Sequence, residues 1–158
     1  IKLSIKEMKN NAIENIKQIK NIFGDKIHVS VENNNAYKTE AYDYVTDPDF
    51  ISSIVNDNDI NFLFDISHAK ITAINTSVDY DLYLSKLPLN RINQIHISKE
   101  GFNSTGEVFD AHELPSYTET KEILEFVKKY YTLKYITVEY YKDPLKLVDY
   151  LTKLKNII

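Results

Sequence analysis

The sequence predicts the C-terminal part of a (β/α)8 TIM barrel. Segments with strand and helix periodicity alternate along the chain, which favours a parallel sheet with helical crossovers. Within the predicted strands apolar and polar residues alternate, so one face of the sheet is apolar and the other polar. A sheet covered by helices on both faces would be apolar on both. A barrel with helices outside and a polar site inside accounts for this pattern.

The chain length limits how much of a barrel is expected. A complete barrel takes about 250 residues, whereas this chain has 158 and five predicted strands. We therefore expect a single domain, 1–158, made of about five βα units, with the N-terminal strands of the barrel absent. The open edges of such a sheet are expected to pair with the missing N-terminal half or with a second copy of the chain.

The first third of the chain contains a helix, a strand and a second helix. Residues 4–23 place apolar side chains three and four positions apart and stop at Gly24, which predicts an amphipathic helix. Residues 27–32 alternate in polarity and predict a strand. Asp47 is an N-cap residue before a proline, so a short helix is predicted over 48–55.

The middle of the chain contains three further strands. Residues 60–65 and 92–97 form the second and third, and a short helix is predicted between them at 79–84. A long loop is predicted over 98–106. It leads into a short strand at 108–110, counted as the fourth strand of the barrel.

The last third ends the predicted barrel. Apolar residues at helical spacing predict a helix over 119–131, and alternation predicts the fifth strand over 135–139. Asp143 and Pro144 begin a final helix that continues through Leu154.

Composition excludes several classes of protein. The chain has no cysteine, so a disulfide framework, a thiolate metal site and a catalytic thiol are excluded. Its net charge of −4, without a basic face, makes nucleic acid an unexpected partner. An apolar run of about 18 residues is absent and no signal peptide opens the sequence, so we expect a cytoplasmic chain without membrane contact.

Residue types that bind metal ions lie at the ends of the predicted strands. Neutral imidazole and carboxylate together are ligands of Zn²⁺, Fe²⁺ and Mn²⁺. Active sites of barrels lie at the C-terminal ends of the strands, where these residues are placed. We therefore predict a metal site, while no separate catalytic residue is identified. The predicted ligands are Glu32, Asp65, His68, His96, Asp110, His112 and Glu139.

The order of these residues resembles the metal-ligand series of the xylose isomerase-like TIM barrels, in the arrangement of endonuclease IV. Longer segments are most similar to the multinuclear non-haem iron family that includes the catalytic subunit of the methanobactin oxidase. These segments are Phe23-Gly24-Asp25-Lys26-Ile27, Asp47-Pro48-Asp49-Phe50, Asp65-Ile66-Ser67-His68-Ala69, Leu87-Pro88-Leu89-Asn90-Arg91-Ile92-Asn93-Gln94-Ile95-His96-Ile97 and Asp110-Ala111-His112.

The resemblance implies an oxidase or oxygenase that uses two or three irons to modify ribosomally made peptides at cysteine. It also implies a small partner protein that presents the peptide, and Zn or Mn are the alternative metals. Carried over by position, Glu32 bridges two metals, and Asp65, His96 and Glu139 complete one of the sites. The other site is made by His68, Asp110 and His112. The early histidines of the family would lie on strands that this chain lacks.

Three other functions remain open at this stage. A hydrolase of the endonuclease IV type would use Zn²⁺ to cleave phosphodiesters, although loops with few positive charges argue against it. A sugar isomerase or epimerase would move a proton between Glu32 and Glu139 around one metal. A barrel fragment without its early strands would be inactive on its own.

Overall fold

A parallel sheet of four strands carries the candidate site in a computed structural model that describes residues 3–24, 26–130 and 132–156. Short 3-10 helices occur at Glu40–Tyr42 and Leu89–Arg91. The other elements are α1 (Ile5–Phe23), β1 (Ser30–Glu32), α2 (Pro48–Asp57), β2 (Asn61–Asp65), α3 (Ile66–Thr76), α4 (Tyr80–Lys86), β3 (Ile92–Ile97), β4 (Lys99–Phe102), β5 (Val108–Glu113), α5 (Tyr117–Val127), β6 (Tyr135–Val138) and α6 (Pro144–Lys155).

The order of strands in the sheet is β1, β2, β3, β6, and every pairing is parallel. Asp65 lies opposite His96, and His96 lies opposite Thr137. The strands therefore end at the same edge of the sheet. This mixed α/β architecture is compatible with part of a (β/α)8 barrel.

The apolar face of the sheet forms the core with the helices. Phe62 and Phe64 on β2 and Ile95 and Ile97 on β3 are fully buried and belong to one cluster that includes residues of α2, α4, α5 and α6. Burying one such side chain contributes about 1.5–3 kcal/mol. Asp65 and His96 alternate with these apolar residues along their strands. Packing of the apolar face therefore directs Asp65 and His96 to the other side of the sheet.

Most predicted elements are present with small changes at their ends. α1 begins at a capping box between Ser4 and Glu7 and stops at Gly24, which has φ 74°. β1 is shorter than its predicted range, and α5 begins two residues early and ends at Val127. Residue 131, where that helix was predicted to end, and the domain limits at 1 and 158 lie outside the described residues.

The prediction that residues 108–110 form a strand of the barrel sheet is wrong. They begin β5, which pairs antiparallel with β4 inside the segment predicted to be a loop. The parallel sheet of the described chain thus has four strands rather than five. A parallel pairing needs a crossover of a dozen or more residues, whereas a short turn suffices for a hairpin. Asn103 and Gly106 supply that turn, Gly106 with φ 81°.

Helix α3 was not predicted. It follows β2 without a loop, because the Asp65 side chain accepts a hydrogen bond from the His68 main-chain N–H and so caps the helix. Buried residues occur around much of its circumference, including Ile66, Ala69 and Thr72. A helix buried on several sides lacks the single apolar stripe by which helices are identified.

The two outer strands of the sheet, β1 and β6, each have one edge that pairs with no other strand among the described residues. In the same part of the chain, every helix is too short or too polar to cross a lipid bilayer.

Candidate metal centre

The structure brings the seven predicted ligands together at the C-terminal end of the sheet. Six of them form a closed ring of contacts between imidazole nitrogens and carboxylate oxygens, five of 3.0–3.3 Å and one of 3.8 Å. Around the ring, the order is Glu32, His96, Glu139, His112, Asp110 and His68. The seventh, Asp65, lies 3.7 Å from His96 and 3.9 Å from His68.

Asp65 is held in place by Asn33, the residue that follows β1. The Asn33 Oδ1 atom accepts a hydrogen bond from the Asp65 main-chain N–H, and its Nδ2 atom donates to the Asp65 carbonyl. Both bonds are 2.9 Å long and buried. They keep the ends of β1 and β2 level, which places Glu32 beside the Asp65 carboxylate.

The two oxygens of the Asp65 carboxylate have different surroundings. Oδ1 accepts the capping hydrogen bond from His68 N–H at 2.7 Å, whereas Oδ2 is buried and has no hydrogen-bond partner. Burial raises the pKa of Asp65 to about 6. A buried charge without a partner is costly unless a cation neutralises it. The donor set therefore fits a metal ion.

The histidines compensate part of the negative charge. Burial lowers the pKa of His68, but the hydrogen bond to Asp110 and the charge of Asp65 outweigh it and raise the pKa to about 9. For His96 too, burial lowers the pKa, and the hydrogen bond to Glu32 and the charge of Glu139 raise it overall. The protonated His68 ring thus supplies positive charge among the four carboxylates when no metal is bound.

Two groups of three residues have ligand atoms close enough to hold one ion each. Each residue offers one ligand atom, and these atoms lie within 4.8 Å of one another in each group. The groups are Glu32, Asp65 and His68, and Asp65, His96 and Glu139. Asp65 is the residue common to both groups, whereas the family resemblance assigns the bridging of two metals to Glu32. Asp65 takes this position because it lies between the two histidines.

Asp110 and His112 come from the β4–β5 hairpin rather than from the parallel sheet. Asp110 Oδ2 lies 3.2 Å from His68 Nε2, and His112 Nε2 lies 3.3 Å from a Glu139 oxygen. His112 has φ 46°, a left-handed conformation that costs about 1–3 kcal/mol in most non-glycine residues. Its ring lies 5.4 Å from the exposed ring of Tyr141, centroid to centroid.

Sequence reasoning missed the residues that orient the ligands. Asn33 lies just outside the strand predicted over 27–32, and its role depends on a contact with a residue 32 positions away. Gln94 and Thr137 lie on the same polar face of the sheet as His96. Gln94 contacts His96 directly, and Thr137 contacts Gln94. The alternation of side chains along each strand shows which residues face the site. It does not distinguish a metal ligand from a residue that orients a ligand.

The lysines that follow His96 and Glu139 by three residues, Lys99 and Lys142, are paired with carboxylates. Lys99 lies 2.7 Å from Glu119, and Lys142 forms an ion pair with Glu113 beside His112. Neither pair leaves an unpaired ammonium group directed at the ring of ligands.

Comparison with known proteins places most of the chain in a described family. The model of the family described as RiPP precursor modification enzyme MbnB/TglH/ChrH matches residues 4–157. RiPP denotes a ribosomally made peptide that is modified after translation.

Two curated relatives are UPF0276 proteins. One, from Vibrio parahaemolyticus, is 22% identical over 73% of this chain and 41% of its own length. The other, from Acaryochloris marina, is 28% identical over 65% of this chain and 36% of its own length. The chain thus spans about two fifths of the length of these relatives.

Proposed function

Because this chain belongs to the MbnB/TglH/ChrH family of RiPP precursor modification enzymes, we propose that it forms the metal centre of an oxidase or oxygenase acting on a ribosomally made peptide. We place the modification at a cysteine of that peptide. We place the reaction in the cytoplasm, where ribosomally made peptides arise.

The ring of nitrogen and oxygen ligands around Asp65 is the observation that carries this proposal. A buried carboxylate oxygen without a hydrogen-bond partner, facing two histidines, is the environment expected of a cation site. Imidazole and carboxylate ligands without thiolate accept Fe, Zn or Mn, and the family resemblance favours Fe. Two or three ions would be held by the seven residues.

Bound iron would supply redox chemistry with O₂ at the peptide. The residues of the chain would bind and orient the metal. Asp65, His96 and Glu139 would hold one ion, and Glu32 lies between His96 and His68. On the other side, Asp110 and His112 close the ring from the hairpin. Each histidine thereby has at least one carboxylate within 3.3 Å, which fixes the orientation of its imidazole before a substrate arrives.

The peptide would approach from the side of the ring that is open to solvent. The Glu32 and His112 side chains are partly exposed there. Tyr141, a residue that is 76% exposed, places its ring 5.4 Å from that of His112. A protein that cleaves phosphodiesters would present unpaired cations at this place, but Lys99 and Lys142 are neutralised by glutamates. These features favour a peptide over a nucleic acid.

The proposed enzyme includes more than the described sheet. We propose that the unpaired edges of β1 and β6 are completed by further strands into a (β/α)8 barrel, supplied by an N-terminal half or by a second copy. Full activity on a peptide, and any small partner protein that presents it, belong to that complete assembly. The metal site can be tested on the present chain.

The test is metal content after anaerobic loading with Fe²⁺ and removal of free metal. We expect at least one equivalent of iron in the wild type and loss of binding in the double variant His96→Ala, Asp110→Ala. The matched control, His28→Ala with Asp57→Ala, removes the same residue types from exposed positions and should bind as the wild type does. Equal iron content in all three proteins would contradict the proposed centre.

Iron-loaded protein would then be mixed with a cysteine-containing peptide, and O₂ uptake would be recorded in the assembly with the completing strands. Uptake should require the cysteine, so a peptide with serine in its place is the control. Uptake that ignores this change would contradict cysteine as the target, while leaving the metal centre intact.

A further inference from the structure

An apolar groove lies beside the candidate metal centre, between α1, β1 and α2. We propose that this groove binds an apolar side chain of the substrate peptide, next to the residue that is presented to the metal. The groove would thereby determine which peptides the protein accepts. This role rests on the proposed function, because it concerns the substrate of that centre.

The groove and the candidate centre share Glu32. This residue lies 3.1 Å from His96 in the ring of ligands, and it also belongs to the wall of the groove. The preceding residue, Val31, belongs to the same wall. A molecule that reaches the centre with one part can therefore place an adjoining part in the groove without leaving the surface of the protein.

The walls of the groove are mainly apolar. Ile51 and Ile54 of α2 are buried, and Phe50, Val31 and Ala12 are partly buried against the core. The volume of about 460 Å³ lies within the range of sites that bind small ligands. Covering apolar surface of this kind is favourable, because it removes the surface from water. The groove thus suits an aliphatic or aromatic side chain.

The polar groups of the groove are suited to the main chain of a peptide. Asn11 and Asn15 of α1 and Asn34 after β1 are exposed and bring uncharged carboxamides to the lining. A carboxamide can donate and accept hydrogen bonds, as a peptide group does. Glu32 is the one charged residue among the described residues that line the groove. A phosphate or carboxylate ligand would meet no cation here, so a neutral peptide segment is the occupant that fits.

The position of the groove limits which residue of the peptide can occupy it. Successive residues of an extended chain are about 3.3 Å apart. Because a metal ligand forms part of the wall, the groove is within reach of the residues about one to three places from the one at the metal. The proposed side chain therefore belongs to this short segment.

Met8 makes occupancy of the groove measurable. It is the single methionine of the sequence, and it lines the groove. Protein with a ¹³C-labelled methionine methyl group therefore gives one NMR signal from the groove. The probe is the peptide acetyl-Gly-Leu-Cys-Leu-Gly-amide, in which either chain direction offers a leucine. The control peptide has serine in place of both leucines.

The metal-free protein is titrated first. The leucine peptide should shift the Met8 signal until the groove is saturated, and the serine peptide should leave it unchanged. Ala12→Leu fills part of the groove and should weaken binding of the leucine peptide about 10-fold or more. Ala41→Leu makes the same change at an exposed residue outside the groove and should bind as the wild type does.

A second variant separates a change in specificity from a loss of folding. Val45 lines the groove, so Val45→Ala enlarges it. The preference of this variant should move from the leucine peptide towards one with phenylalanine in place of both leucines. A protein that was merely destabilised would bind both peptides less well and would show no such change in preference.

Loading with Zn²⁺ distinguishes the groove from the proposed function. Zn²⁺ should tighten binding of the cysteine peptide, because a thiolate is a zinc ligand. A leucine peptide with serine in place of cysteine should shift the Met8 signal equally with and without Zn²⁺. If Zn²⁺ fails to tighten binding of the cysteine peptide, cysteine at the metal centre is contradicted and the groove stands.

Other results would overturn the groove and leave the metal centre intact. These are no shift of the Met8 signal with the leucine peptide, equal binding of the leucine and serine peptides, or an unchanged preference in Val45→Ala. A Met8 signal that changes with protein concentration before peptide is added would identify a second copy of the chain as the occupant, which would overturn the inference as well.

Discussion

The Asn33 side chain and the Asp65 main chain form a closed pair of hydrogen bonds, each 2.9 Å long and buried. The pair joins the residue after β1 to the last residue of β2. It therefore fixes the position of Glu32 relative to the Asp65 carboxylate at the ends of these strands. A single amide side chain thus controls the geometry between two strands.

Replacing Asn33 with Ala should lower the free energy of unfolding by about 2–4 kcal/mol, because it leaves a buried N–H and a buried carbonyl unpaired. Urea unfolding followed by circular dichroism measures the change. Asn34→Ala alters the exposed neighbour, whose side chain makes only a local bond to Asn35 N–H, and should cost less than about 1 kcal/mol. Equal effects of the two substitutions would contradict the assigned role.

Asp65→Asn should abolish binding of a metal ion without destabilising the metal-free chain at pH 8. Asparagine is a good N-cap residue, so α3 keeps its start. Because burial raises the pKa of Asp65 to about 6 from its usual 3.8, protonated Asp65 favours folding below about pH 4. This contribution, on the order of 3 kcal/mol, is lost as the pH rises through about 6.

Unfolding of the metal-free wild type and of Asp65→Asn at pH 4 and pH 8 tests this. The free energy of unfolding of the variant, relative to that of the wild type, should be higher at pH 8 than at pH 4. Asp57→Asn, an exposed substitution of the same type, should show no such gain. A variant that loses stability relative to the wild type at pH 8 would argue that the Asp65 charge is already compensated without a metal.

The ion pair between Lys99 and Glu119 ties the hairpin to α5. The hydrogen bond from Lys99 and those within the Ser116 capping box hold the pKa of Glu119 at about 2. The stabilisation is therefore present above the usual pKa of 4.5 and is lost as the pH falls through about 2. Glu119→Gln keeps a capping side chain and should cost at most about 1 kcal/mol at pH 7, since the pair is partly exposed.

Thermal unfolding in low and high salt checks this prediction. The difference between wild type and Glu119→Gln should shrink in high salt, because exposed ion pairs are screened. Glu122→Gln, on the exposed surface of the same helix, controls for the change in net charge. A difference that is unaffected by salt would show that packing, rather than charge, joins the two elements.

Gly101 permits the close approach of β4 and β5. A Cβ atom at this position would lie 2.7 Å from the Ala111 Cβ and 3.0 Å from the Phe109 ring. Gly101→Ala should therefore destabilise the chain by about 1–3 kcal/mol and weaken metal binding, because Asp110 and His112 are carried by the same hairpin.

The double variant Gly101→Ala, Ala111→Gly removes the clash with the Ala111 Cβ. It should therefore restore much of the stability and metal affinity lost in Gly101→Ala. Stability and Zn²⁺ affinity are measured together for the single and double variants. A single variant with wild-type affinity would show that the hairpin ligands do not contribute to binding.

The positions of Asp65 and His96 were predictable from sequence because they depend on local rules. Alternation within β2 and β3 assigns Asp65 and His96 to the polar face, and parallel pairing brings the strand ends to one edge. The hairpin was not predictable by these rules, since Lys99-Glu100-Gly101-Phe102 has no apolar alternation and pairs through backbone atoms. The role of Asn33 depends on a contact between distant parts of the chain, which periodicity does not describe.

The start of α3 directly at the end of β2 gives Asp65 two tasks that cannot be separated. One oxygen begins a helix and the other faces the candidate centre, and the distance between them is fixed by the carboxylate itself. Glutamate, one methylene longer, would displace both oxygens, and histidine lacks the second acceptor. An engineer who wishes to change the metal preference of this protein will therefore need to redesign a helix start, or else leave Asp65 unchanged and vary the ligands on the hairpin.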